Sequence, residues 1–190
     1  MIVTTFDKQA MAGVTKVLED LGANVAIQMS AAISKTAAKV RTQAARALKK
    51  ELAVPVKILK KSVIKGKTDK KAMTAIIYLN PGYPIPLKHF GARAYKKGKG
   101  GVTYRVSPGS GSRSIIRDAF IPQQYGGNVY RRAGKTRGPL IKQVGPAPGD
   151  MFEKAGVIAV ALETANTELP KQIQERVRFL TVKAQGKLKK

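Results

Sequence analysis

This 190-residue sequence predicts an α+β fold, with a long N-terminal helix and C-terminal helices packed on a small antiparallel β-sheet. Three observations carry that prediction. Residues 24–52 contain no proline or glycine and are rich in Ala, Lys, Gln and Arg, all good helix formers. Residues 72–146 alternate short Val, Ile, Tyr and Phe runs with Gly/Pro turns, as short strands do. From Asp150 onward the apolar spacing returns to three and four. The length suits a single domain over 1–190: helical over 1–63, β-rich and basic over 72–146, helical again over 150–184, with a basic tail over 185–190.

Taken in order, Asp7 caps a first helix with Ala10, Val14, Val17, Leu18 and Leu21 inward, ended by Gly22. Glu19 and Asp20 near its C-terminus oppose the helix dipole. The helix over 24–52 would be about 43 Å long. Ile27, Ala31, Ile33, Ala37, Ala38, Val40, Ala44, Ala45, Leu48 and Leu52 share its inward side. Lys35, Lys39, Arg46 and Lys50 fall within about 60° of one another on the far side. Val54-Pro55 breaks the helix, and Pro55 opens a short one with Val56, Leu59 and Val63 inward. Lys65–Lys71 is a basic loop, Ala72–Leu79 a strand, and Asn80–Pro84 a turn.

Lys96–Gly101 forms a hairpin tip and Val102–Val106 a strand, followed by a flexible Ser107–Ser112 loop. Ile115-Ile116 and Ala119-Phe120-Ile121 flank a strand or bend. Gly126-Gly127-Asn128 turns the chain into a return strand at Val129–Arg131. Asp150 caps a helix with Phe152, Ala155, Ala159, Leu162 and Ala165 inward; Leu169, Ile173, Val177, Leu180 and Ala184 continue the pattern. Pro170 makes this a kinked helix or two helices.

Charge is the dominant feature: 36 Lys and Arg stand against 11 Asp and Glu, a net of +25. Residues 31–146 hold 26 bases and only three acids, Glu51, Asp69 and Asp118. Such self-repulsion calls for a polyanion or an acidic protein as partner. The candidate contacts are Lys35, Lys39, Arg46 and Lys50 on the helix. Arg93, Lys96, Lys97, Lys99, Arg131, Arg132, Lys135 and Arg137 join them in the β-rich turns. For the helix face, a merely solvated surface stands beside the binding reading; so it does for the Gly/Lys tip, whose backbone N–H groups suit an anion. No base-reading motif or aromatic stacking series is visible, so double-stranded DNA would be held through its phosphates. A membrane is not expected, since no basic helix carries large apolar residues opposite and no apolar run nears about 18 residues. Neither signal peptide nor disulfide is expected, because the start lacks a basic apolar leader and Cys is absent.

Chemistry is sparse. The sole histidine, His89, lies beside Phe90 in a turn and is expected to be structural. No metal-ligand cluster or activated nucleophile is visible, and no cofactor, metal site or catalytic residue is expected. Gly134-Lys135-Thr136 lacks the earlier glycine of a phosphate-binding loop, because position 129 is Val. An enzyme acting on an acidic polymer through His89 and Asp118 remains the reading against which a binding role is weighed.

A string of short motifs adds a resemblance. Ile85-Pro86-Leu87, Phe90-Gly91-Ala92-Arg93, Lys97–Val102, Ala119-Phe120-Ile121, Arg131 with Ala133-Gly134-Lys135, and Pro139-Leu140 follow one another in order, after the Ala-rich helix at Ala26–Ala37. Together they resemble the minor tail protein Z family of long-tailed phages and prophages. The resemblance implies a structural virion protein of the tail or neck, made in the host cytoplasm, that acts in tail completion at the head-proximal end. It implies the tail terminator and tape measure as partners, with non-sequence-specific DNA contact, and is compatible with an oligomer on the tail. A general non-specific nucleic-acid-binding protein is the alternative.

Overall fold

Residues 2–4, 25–69, 74–95 and 100–188 are described by a computed structural model. The helix expected over 7–21 and the cations Lys96, Lys97 and Lys99 lie outside them. The architecture is α+β: a long N-terminal helix, a C-terminal helix and small antiparallel sheets. The chain divides into two units. One comprises 1–44, 63–79 and 158–190, the other 45–62 and 80–157.

In the first unit, strands β1 (Ile2–Thr4), β2 (Val63–Asp69) and β3 (Thr74–Leu79) form a sheet ordered β1-β3-β2, antiparallel throughout. Ala75 and Ile77 of β3 are buried while Tyr78 is exposed, the alternation of a sheet with one covered face. The segment expected as a basic loop from Lys65 is thus strand as far as Asp69, a correction with a clear cause. Val63, Ile64 and Thr68 supply β-branched residues, and β3 supplies a pairing edge that local propensity does not reveal. A register shift between Lys65 and Thr68 absorbs the flexible centre. There, a Cβ on Gly66 would lie 2.9 Å from the Ile76 carbonyl oxygen, so only glycine fits.

Helix α1 (Val25–Glu51) follows the predicted span and passes from the first unit into the second after Ala44. Ile33, Ala37, Val40, Ala44, Ala45 and Leu48 are buried as expected, and so is Leu52 just beyond its end. Met29, Ala32, Thr36 and Ala47 are buried too, whereas Ile27 and Ala38 are exposed. The covered stripe is broader than one edge of the helix and turned away from Ile27. Thr36 satisfies its buried hydroxyl by donating to the Ala32 carbonyl at 3.0 Å. Two basic side chains tie β2 to α1: Lys65 Nζ donates to Ser34 Oγ at 2.6 Å, and Arg41 Nε to the Val63 carbonyl at 2.7 Å.

The C-terminal segment departs from expectation in two ways. Asp150 does not cap a long helix; it sits in a 3₁₀ turn over Pro148–Met151 and accepts the Ala147 N–H at 3.2 Å. The helix proper, α3 (Val157–Leu188), starts after Gly156, whose φ of 56° resets the chain direction. Ala165, Leu169 and Ile173 are buried as expected and Ala161 joins them along an i, i+4 row, while Ala159 and Leu162, expected inward, are exposed. At Pro170 the structure selects the single helix over the pair: α3 runs through the proline. Proline removes the bond to the Asn166 carbonyl, but Asn166 and Pro170 are both exposed, so water can take that place.

The second unit carries two further three-stranded antiparallel sheets. One joins β4 (Arg93–Ala94), β5 (Val102–Tyr104) and β6 (Ser114–Ile116). The other joins β7 (Ala119–Phe120), β8 (Tyr130–Arg132) and β9 (Leu140–Lys142). The small sheet of the sequence expectation is therefore three among the described residues. Short helix α2 (Val56–Leu59) follows Pro55 as predicted but ends at Leu59, so Val63, expected on it, opens β2 instead. Leu48, Leu52, Val54, Leu59, Leu87, Phe90, Val102 and Val129 are buried to within 1% exposure and make the core. Phe90 ends a 3₁₀ turn over Leu87–Phe90, and its carbonyl accepts the Arg105 N–H at 3.1 Å. Its ring lies so close to Gly145 that an added Cβ there would be 2.5 Å away.

Candidate anion-binding surface

The β8–β9 hairpin gathers Arg131, Arg132, Lys135 and Arg137, all exposed, on a loop exposed from Ala133 to Pro139. Arg131 and Arg132 are successive residues of β8, and both reach solvent. The loop is nonetheless bonded: the Ala133 N–H donates to the Pro139 carbonyl at 3.0 Å, and the Thr136 hydroxyl to the Gly138 carbonyl at 2.7 Å. The Arg132 guanidinium lies 5.7 Å from the centre of the Phe120 ring, a cation–π contact that holds it without neutralising it.

Beside the hairpin is a cleft of about 660 Å³ lined by Arg131, Arg132, Lys135, Phe120 and Asp118. Asp118 occupies the link between β6 and β7 at φ 60°, a left-handed position that aspartate tolerates better than most residues. Three cations against one carboxylate leave the cleft net positive. It can hold an anion, and nothing in it pairs a nucleophile with a base.

The other predicted cations are more dispersed. Arg93 is exposed on β4, and Lys35, Lys39, Arg46 and Lys50 are exposed along α1. Lys39 is already engaged: its ammonium meets the Glu168 carboxylate at 2.5 Å, with Lys171 at 3.8 Å from the same group. The hydrogen bond from Lys39 is the main cause that holds Glu168 below the usual carboxylate range, and reciprocally raises Lys39. Arg113 is likewise spent internally, donating to the Gly91 and Thr103 carbonyls.

Sequence reasoning missed a second basic locus. Lys61 and His89 line a pocket of about 420 Å³ walled by prolines, and the charges of Lys88 and Lys142 act on the imidazole as well. Burial, then the charges of Lys88, Lys61 and Lys142, push the imidazole below its ordinary 6.5. The three lysines are far apart in sequence, so no local spacing announces them. The sign of the pH effect follows. Below the ordinary value the unfolded chain takes the proton first, so stability falls as pH drops, until the folded protein's own value is passed. Thermal melts from about pH 7 to about pH 5 are expected to show this decline, and His89→Gln to flatten it. Parallel curves for the two proteins would assign the decline to other groups.

Among the described residues no group of three or more His, Asp or Glu is placed to hold a metal ion. Nor is any described helix long and apolar enough to cross a membrane.

A family model described as prophage minor tail protein Z matches residues 8–183. The chain belongs to that family. The match spans both units and includes the hairpin, the His89 pocket and nearly all of α3. Neither a curated protein nor a solved structure matches the chain. Family membership makes the chain a minor, structural component of a phage or prophage tail, located in the virion tail and in contact with other tail proteins.

Proposed function

We propose that this tail protein acts in tail completion at the head-proximal end. There it joins tail to head and contacts DNA through its basic surface without reading sequence. The observation that carries the reading is the β8–β9 hairpin, four exposed cations on β8 and the bonded loop after it, beside a net positive cleft. A genome end passing through a neck must be held whatever its sequence. Phosphate contacts do this, because they position a duplex without specifying it. The tail terminator and the tape measure are the protein partners this position implies. Assembly would take place in the host cytoplasm, with the protein joining as a single copy or as an oligomer on the tail.

Electron microscopy of tails assembled without the protein tests the position. Density is expected to be lost at the head-proximal end, with tail length unchanged. Loss at the distal tip would overturn the placement.

A further inference from the structure

The pocket at His89 has a character different from the hairpin. Its walls are apolar and stiff: Pro84, Pro86, Pro148 and Ile58 line it, and no acidic residue does. Polar groups converge at its edge from Lys61, Ser62, Asn80 and His89. A volume of about 420 Å³ falls in the range of pockets that take a small ligand or a side chain. Tyr83 stands at the rim and is 91% exposed, by far the barest large apolar side chain in the described protein.

The rim is built before anything binds. The Asn80 N–H donates to the Ser62 carbonyl at 2.8 Å, and the Gly82 N–H to the Asn80 side chain at 2.9 Å. The Gly149 N–H donates to the Pro81 carbonyl at 3.0 Å, and the Gly145 N–H to the Ile85 carbonyl at 2.8 Å. Prolines at 81, 84, 86, 146 and 148 fix φ along the same two segments. A loop that is already ordered loses little entropy on binding, and a bare tyrosine on such a loop is the residue type that dominates interface energy.

From this we infer that the pocket is a docking site for an acidic segment of another tail protein. It takes one apolar or aromatic side chain of that segment between Tyr83 and the prolines, and a flanking carboxylate beside Lys61, in a field to which Lys88 and Lys142 add. Charge complementarity selects this occupant. A second copy of the chain would bring mostly like charge, since residues 31–146 hold 26 bases and three acids. A duplex would offer phosphates to the lysines but nothing to fill a concave apolar pocket. The inference extends the protein-contact part of the proposed function and rests on it only for where the partner is found.

The test uses the full chain and fluorescence anisotropy with a labelled nonapeptide of glutamates around one central phenylalanine. The same peptide with central serine, and one with glutamine for every glutamate, are the comparators. The glutamate–phenylalanine peptide is expected to bind about tenfold tighter than either. Tyr83→Ala, at a solvent-exposed position, is expected to weaken it about fivefold or more, and Lys61→Glu likewise. Arg131→Ala with Arg132→Ala should leave it within about twofold, which separates the pocket from the hairpin. His89 is the sole histidine, so its ring resonances report occupancy directly and should move at saturation. Equal binding of the serine peptide, equal loss in the hairpin variant, displacement by a short DNA duplex, or no binding at all would each overturn the inference.

Discussion

Replacing Phe90 with alanine is expected to destabilise the protein by about 3–5 kcal/mol, the usual cost of emptying a large aromatic site in a core. Phe90 is 1% exposed, and its ring is in close approach to Gly145. Gly145 in turn donates to the Ile85 carbonyl, next to the isolated β-bridge between Pro86 and Val144. Collapse into the void would have to move that bridged segment, so relaxation is limited and the high end of the range is expected. Chemical denaturation of the two proteins checks it. A loss below about 1 kcal/mol would mean that the second unit does not depend on this side chain. The scarcity of aromatics raises the stakes: the chain has no Trp and five Phe, so few other side chains could fill the space.

The second large effect concerns the hairpin. If Arg131, Arg132, Lys135 and Arg137 each meet a phosphate, their replacement by alanine removes about four contacts. The slope of log affinity against log salt should then fall by about 3–4. Between 50 and 200 mM salt those four contacts alone would account for roughly two decades of affinity. Binding of a random-sequence duplex, titrated at several salt concentrations, measures both. An unchanged slope would remove DNA from the hairpin and leave its charge for an acidic protein. Changing Lys35, Arg46 and Lys50 instead separates the helix face from the hairpin. Lys39 is expected to contribute less than its neighbours because Glu168 already neutralises it.

How much of this was legible without coordinates varies by element. The span of α1 was, because 27 residues without proline or glycine offer the backbone no competing structure. Most of its inward face was too, since burial follows an apolar stripe. The inward row of α3 was legible from Ala165 through Ile173, but its first turns were not, because the helix begins after the left-handed turn at Gly156 rather than at the acid Asp150. The strand at Lys65–Asp69 was also hidden, because a strand exists only with its partner, and β3 is the partner. Lys65 was read as part of a basic loop, and only the tertiary structure ties it to Ser34 of α1.

The candidate site divides the same way. Exposed cations on a short loop between strands can be found by eye, so the hairpin residues were named in advance. The pocket could not be, since Lys61, Asn80, His89 and Pro148 come together only through chain segments remote in sequence. By itself, then, the sequence determined the class of fold, the sign and place of the charge, and the family, because composition, periodicity and motif order are local properties of the chain. The tertiary structure alone decided which cations face solvent, which are spent inside, and where a basic apolar pocket forms, because those outcomes depend on which distant segments come together.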